Sequence, residues 1–172
     1  IKINCVLKKG VNESQIFPLI EYFKNKKVTL RFIEFMDVGN SNNWDLNQVL
    51  TKNEILKKIN QKYNFIELGR EKVSDVAEQF IDNSRNQKIE IISSISQPFC
   101  SNCTRARLSS EGKLYTCLFG FNSFNLRELL RNGGDILEEI KSIWIERDDK
   151  FSELRNEYIT IPKKVEMSYI GG

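Results

Sequence analysis

The sequence contains no histidine, and none of its apolar runs is long enough to cross a bilayer. The lack of histidine removes the usual nitrogen ligand of a structural zinc site. No basic-then-apolar leader opens the sequence, so neither a membrane protein nor a secreted protein is predicted. Lysines and arginines exceed acidic residues by only 26 − 23 = 3. Nucleic-acid binding needs a clustered basic face, and the basic residues here are scattered, so nucleic acid is not an expected partner.

The chain has 172 residues, of which 40% are hydrophobic and 28% are charged. This length suits one domain, or a piece of a barrel with a smaller appendage, and it is sufficient for a buried core. A chain of this size does not need disulfides, and two of its four cysteines form a Cys-x2-Cys pair. Such pairs are more often metal ligands or redox groups, which favours a reducing compartment.

Hydrophobic patterning predicts a strand over residues 1–7, a helix over about 13–24 and a nearly continuous apolar strand over 28–36. In the first strand, Lys2 lies on one face and Cys5 on the opposite, apolar face, where Cys5 is expected to be a small buried hydrophobe. This order predicts a βαβ unit with parallel pairing. Because the strand starts at Ile1 and not after a methionine, we expect the N-terminal part of the protein to be missing.

Further along the chain, capping boxes are predicted at Asn12 with Gln15 and at Thr51 with Glu54, the second opening a helix to about residue 63. Residues 64–86 are ambiguous and could be partly helical. A strand is predicted over 88–96, a hairpin over 106–119, and helices over 124–132 and 135–146.

Three cysteines, Cys100, Cys103 and Cys117, are spaced Cys-x2-Cys-x13-Cys. The short step lets two sulfurs of one turn reach one metal, and the predicted hairpin folds the third back toward them. Three thiolates without a fourth favour a 4Fe–4S cluster with one open iron, because four protein thiolates are the usual set. The alternatives are a zinc site closed by a carboxylate and a pair of redox thiols.

Two arginines, Arg105 and Arg107, follow the Cys-x2-Cys pair. In a strand, residues two apart face the same way, so both guanidinium groups could present bidentate donors to phosphate oxygens. The alternative is two solvated surface arginines. Their position beside the thiols favours a phosphorylated small molecule next to the open iron.

The stretch FCSNCTRARLSSEGKLYTCLFG resembles the C-terminal cluster motif of the GTP 3′,8-cyclase family, also called molybdenum cofactor biosynthesis protein A. The segments KINCV, LRFIEFMDVG, WIERDDKFSE and the terminal YIGG are similar to that family too. The resemblance extends over the whole chain and implies an α/β fold. The last βα units of an incomplete (β/α)6 barrel would occupy residues 1–62, followed by a smaller α+β cluster-binding and GTP-binding domain over 63–172.

The resemblance implies a radical S-adenosylmethionine (SAM) enzyme that converts GTP to 3′,8-cyclo-7,8-dihydro-GTP, the first step of molybdenum cofactor synthesis. A product-consuming partner, cyclic pyranopterin monophosphate synthase, and a homodimer are also implied. The location would be the cytoplasm in a bacterium or the mitochondrial matrix in a eukaryote. The family's first 4Fe–4S cluster is held by a Cys-x3-Cys-x2-Cys motif that is absent here. We therefore expect the early barrel strands upstream, and no activity from this chain alone.

The resemblance also assigns site residues. Cys100, Cys103 and Cys117 would hold the second cluster, whose open iron binds guanine, and Met36 would contact SAM. The expected GTP contacts are Lys2, Arg105, Ala106 and Arg107. Arg31, Gly171 and Gly172 are further candidates for the active site, although Arg31 could equally belong to a structural pair with Glu34 or another carboxylate. The competing functions are a zinc-stabilised nucleic-acid or protein binding module, and another radical SAM enzyme with an auxiliary cluster.

Overall fold

The structure is a computed structural model, and it describes residues 1–120, 122–155 and 165–170. The chain forms two compact units. The first comprises Ile1–Met36 and Trp44–Cys103, and the second comprises Asp37–Asn43 and Thr104–Gly172. Both contain strands, and helices lie in each, so the fold is mixed α/β.

A five-stranded sheet with the order β1-β2-β5-β4-β3 forms the centre of the first unit. β1 pairs with β2 and β2 with β5 in parallel, whereas β4 pairs antiparallel with β5 and with β3. The helices α1 and α2 lie in the connections after β1 and β2. The bounds are β1 Lys2–Leu7, α1 Ile16–Phe23, β2 Thr29–Glu34, α2 Lys52–Ile59, β3 Ile66–Gly69, β4 Glu78–Asp82 and β5 Gln87–Ile92.

Helices cover one face of this sheet. Leu30, Phe32 and Ile89 from the strands pack with Ile20 of α1 and Ile55 of α2 in one buried cluster. Alternation along β1 is confirmed, since Lys2 is exposed and Cys5 packs against that cluster. Burial raises the pKa of the Cys5 thiol, in keeping with a packing role. The predicted βαβ unit is likewise confirmed.

Two local predictions in this unit differ from the structure. Residues 64–86, for which partial helix was considered, contain the antiparallel strands β3 and β4. Asn12 does not cap through the predicted box. Its amide oxygen accepts from the backbone of Lys8 at 2.8 Å, and its amide nitrogen donates to the carbonyl of Val6 at 2.8 Å, which closes the turn after β1. The Thr51–Glu54 capping box is confirmed in full.

In its described residues, the second unit contains a three-stranded antiparallel sheet in the order β6-β7-β8 and two α-helices. Gly112 adopts a φ of +77° in the turn between β6 and β7, where its amide donates to Ser109 at 2.9 Å. Leu114, Leu126 and Ile143 form the buried cluster. The bounds are β6 Arg107–Leu108, β7 Lys113–Tyr115, β8 Phe124–Asn125, α3 Leu126–Arg131 and α4 Ile136–Ile145.

The expected boundary after residue 62 falls inside the first unit. β3, β4 and β5 all follow that residue, yet they hydrogen-bond into the same sheet as β1 and β2. The compact units instead divide after Cys103, with the short segment Asp37–Asn43 joining the second unit. In the part of the chain that the structure describes, no helix has the length and apolar character needed to cross a membrane.

Acid should weaken the first unit through two surface carboxylates. A hydrogen bond from Lys9 lowers the pKa of Glu54 from 4.5 to about 2, and hydrogen bonds from Tyr63 and Arg85 lower that of Glu21 to about 2. Because the folded pKa values are depressed, this stabilisation is complete above pH 4.5 and is lost as the pH falls toward 2. We expect the urea midpoint to fall over this range, and Glu54→Gln to flatten the decline. An unchanged decline in that variant would contradict the prediction.

Candidate functional site

Cys100 and Cys103 lie on one tight turn at the end of the first unit. Residues Cys100–Asn102 form a single 3-10 turn, in which the amide of Cys103 donates to the carbonyl of Cys100 at 3.1 Å. The turn is also held by the amide of Asn102, which donates to the carbonyl of Phe99 at 3.2 Å. Both thiols are partly exposed. The prediction that the x2 spacing places this pair on one turn is confirmed.

Cys117 lies in the second unit, directly after β7. Its carbonyl accepts from the amide of Gly120 at 3.2 Å. A Cβ atom at Gly120 would approach the Cys117 Cβ to 3.3 Å, so glycine permits this close return of the chain. The thiol is unbridged and partly exposed.

The arginine pair belongs to the second unit as well. Arg107 is the first residue of β6, and Arg105 precedes it by two positions. Both side chains are partly buried, whereas Ala106 between them is exposed. β6 begins only at Arg107, so the prediction that both side chains face the same way stays a prediction.

Lys2 and Arg31 meet at a buried carboxylate on the sheet face opposite the helices. Asn4, Arg31 and Glu90 are in register across β1, β2 and β5. Arg31 Nε donates to Glu90 Oε2 at 2.7 Å, and Lys2 Nζ lies 3.0 Å from Glu90 Oε1. The Glu90 side chain is 6% exposed and that of Lys2 is 55% exposed. Arg31 therefore pairs with Glu90 and not with Glu34, while Lys2 remains more than half exposed.

A polar cavity of about 230 Å³ lies beside this cluster. It carries three basic and three acidic side chains, so its charge is balanced. The residues that line it include Lys2, Arg31, Lys72, Glu71, Asp75 and Glu90. Burying charged side chains is costly unless they pair with an opposite charge. The pairing of Lys2 and Arg31 with Glu90 offsets part of that cost on this sheet face.

Met36, two residues after β2, packs against a small cluster of Ile33, Ala77 and Ile92. These residues are on the sheet face that also carries Arg31 and Glu90. Gly171 and Gly172, the two remaining candidates, lie outside the described residues.

The sequence did not reveal a buried arginine site in the second unit. Arg155 Nη2 donates to Asp37 Oδ1 at 2.9 Å, and Nε contacts both Asp37 oxygens at 3.2 Å. The guanidinium carbon lies 5.4 Å from the ring of Phe119 and 5.9 Å from that of Phe151, and the two rings stack at 5.3 Å. Arg155 thereby fixes Asp37, which follows Met36, and Phe119, which is two residues beyond Cys117.

Comparison with known sequences identifies the family. A sequence profile of the family described as Molybdenum Cofactor Synthesis C matches residues 28–153. The chain belongs to this family.

Relatives support this family assignment over the full chain. The chain is 44% identical over 179 residues to a GTP 3′,8-cyclase of Staphylococcus saprophyticus, and 44% identical over 180 residues to that of Staphylococcus epidermidis. It is 42% identical over 179 residues to that of Staphylococcus aureus. Each alignment covers 100% of this chain and 53% of the relative. The chain thus spans about half the length of these relatives.

The chemistry of the donor set fits an iron–sulfur cluster in this molybdenum cofactor synthesis family member. Cys100, Cys103 and Cys117 are all unbridged and partly exposed, and thiolates are the usual ligands of such clusters. Among the described residues, no group of three or more histidine, cysteine, aspartate or glutamate side chains is placed to hold a metal ion. The complete three-thiolate site therefore stays a prediction.

Proposed function

We propose that the chain is the C-terminal part of a GTP 3′,8-cyclase and carries its GTP-binding cluster site. The observation that carries this proposal is the 44% identity, over the whole of this chain, to relatives bearing that name. Two structural observations support it: Cys100 and Cys103 share one turn, and Arg105 and Arg107 are partly buried on either side of exposed Ala106. The reaction would be the radical SAM-dependent conversion of GTP to 3′,8-cyclo-7,8-dihydro-GTP, with the product passing to cyclic pyranopterin monophosphate synthase.

In this proposal, Cys100, Cys103 and Cys117 hold a 4Fe–4S cluster. When bound, the cluster would supply an open iron as a coordination site for the guanine of GTP. Arg105 and Arg107 give two guanidinium groups on one side of the chain, suited to phosphate or base acceptors, and exposed Ala106 leaves the backbone accessible. Lys2 adds a cation, and its 55% exposure leaves the ammonium reachable by GTP. These residues bind and orient the nucleotide.

The five-stranded sheet would form the last part of an incomplete (β/α)6 barrel. Parallel pairing of β1, β2 and β5, with helices on one face and Arg31 and Glu90 on the other, supports this arrangement. Met36 would contact SAM from the end of β2. The first cluster and the upstream strands would come from the half of the relatives that this chain does not cover. The relatives are bacterial, which favours the cytoplasmic alternative.

The test is GTP affinity of the anaerobically reconstituted chain with one arginine removed at a time. Arg105→Ala and Arg107→Ala should each weaken GTP binding by about tenfold or more, because one charge-assisted hydrogen bond contributes roughly 1.5–3 kcal/mol. Iron content should stay at the wild-type level. The matched control is Arg131→Ala, which removes an exposed arginine from the end of α3 in the same unit. Wild-type affinity in both test variants would refute the nucleotide-binding role.

A further inference from the structure

Glu34 is a fully buried carboxylate that the proposed chemistry does not use. It is 0% exposed at the end of β2. Oε1 accepts from the amide of Lys52 at 2.7 Å and from the Ser96 hydroxyl, and Oε2 accepts from the amides of Ile95 and Ser96 at 2.8 Å each. An ionised carboxylate is costly to bury, and these four donors offset that cost. The site is therefore built to hold a negative charge.

Glu34 joins three separate pieces of the first unit. Its own strand is β2, Lys52 is the first residue of α2, and Ile95 and Ser96 belong to the segment that follows β5. The N-terminus of α2 favours an anion through its backbone amides and dipole. The carboxylate consequently ties the segment after β5 to two regular elements of the core.

The segment after β5 leads directly into the thiol turn, since Ser96 precedes Cys100 by four residues. A second contact holds its far end. The ring of Phe99 packs against the cluster of Ile33 and Ile92 and lies under the guanidinium group of Arg70 at 5.5 Å. Arg70 is itself fixed by Glu78 at 3.0 Å.

Glu78 extends this second contact into the core. Lys52, whose amide donates to Glu34, also places its buried Nζ 2.6 Å from Glu78 Oε2. The contacts of Glu34 with Ser96 and of Arg70 with Phe99 are therefore linked through Lys52 and Glu78.

We propose that Glu34 is a positioning residue for the Cys100–Cys103 turn. Its carboxylate fixes Ile95 and Ser96, and through them it sets where the two thiols are presented. What the thiols then hold rests on the proposed function, but the positioning itself is a property of the protein without cofactor. A carboxylate with a purely structural role would affect the stability of the whole unit and leave the relative behaviour of the thiols unchanged.

The first readout is hydrogen exchange of the cofactor-free chain carrying Glu34→Gln. The amide group of glutamine is similar in size to the carboxylate. Its NH2 group, however, is a donor and would face protein groups that also donate. The amides of Ile95 and Ser96 should therefore exchange at least about tenfold faster than in the wild type, as expected for losing bonds to a charged acceptor. The matched control is Glu54→Gln, which makes the same change at the capping box of α2 without contacting this segment.

The second readout is alkylation of the four cysteines by iodoacetamide, followed by peptide mapping. In Glu34→Gln, the rates at Cys100 and Cys103 should change severalfold relative to Cys5 and Cys117 in the same sample. A general loss of stability would increase all four rates together. In the reconstituted chain, loss of iron to a chelator should be correspondingly faster in Glu34→Gln and unchanged in Glu54→Gln.

Ser96→Ala is the second test variant, for use if Glu34→Gln does not fold. It keeps the carboxylate and removes one hydrogen-bond donor. Hydrogen exchange and relative alkylation should shift in the same direction as in Glu34→Gln, but by less. Wild-type exchange at residues 95 and 96, or unchanged relative alkylation in the folded variants, would overturn the positioning role. The proposed function fails separately: a chain that shows both effects but takes up neither iron nor GTP would retain the positioning role and lose the cyclase assignment.

Discussion

Replacing Cys117 with serine should leave the anaerobically reconstituted chain without its cluster, so that about four irons and four sulfides fall toward none. Thiolates are the ligands of such clusters, and a serine hydroxyl stays protonated near neutral pH, so it is a poor substitute. Cys100 and Cys103 would remain on their turn, but two ligands are too few for a cluster that already lacks the usual fourth. The measurement is iron and acid-labile sulfide per chain, together with the EPR spectrum of the reduced sample.

The matched control is Cys5→Ser, which also removes one of the four thiols. Cys5 packs against the core of the first unit, and burial raises its pKa, so its loss should leave the iron content unchanged. Full iron content in Cys117→Ser would contradict the assignment of this ligand. One zinc without sulfide in the wild-type chain would favour the binding-module alternative, because structural zinc sites are closed by protein ligands.

The elements that sequence reasoning predicted well are those with local causes. The capping box of Thr51 and Glu54 lies within four residues, and it is present. β2 was predicted from its apolar run. β4 was not, because Glu78 and Asp82 occupy buried positions in a strand whose buried and partly buried residues alternate. Polar residues at buried positions hide the period of two from which a strand is recognised.

The pairing of the buried charges could not be predicted from the sequence. Arg31 and Glu34 lie three residues apart, and a structural pair of Arg31 with Glu34 or another carboxylate was one interpretation, but neighbouring strands and the loop after β5 supply their partners instead. Arg31 meets Glu90, 59 residues away, and Glu34 meets Ser96, 62 residues away. Only the sheet order β2-β5 brings these residues together. The Cys-x2-Cys pair, by contrast, was visible in the sequence because Cys100 and Cys103 lie only three residues apart, on one turn.

Removing the carboxylate of Glu90 should destabilise the chain by roughly 3–5 kcal/mol, as expected when one partner of a buried ion pair is lost. Glu90→Ala would leave the Arg31 guanidinium, which is only 16% exposed, without the carboxylate that it now meets at 2.7 Å. A loss of this size is a large fraction of the stability of a typical domain. It is measured as a fall in the free energy of unfolding by urea.

The double variant Arg31→Met with Glu90→Leu separates the contribution of this pair to stability from any contribution of Arg31 to GTP binding. Apolar side chains of similar volume should recover most of the loss, because neither leaves a buried charge. The control is Glu138→Ala, whose pair with Lys141 is exposed and should contribute at most about 1 kcal/mol. If Glu90→Ala cost no more than this control, water would have to reach Arg31, and the pair would not be buried in solution.

GTP affinity of the double variant then decides the role of Arg31. If the double variant regains stability but loses GTP affinity, Arg31 contributes to ligand binding. Wild-type affinity at restored stability would make Arg31 a structural residue.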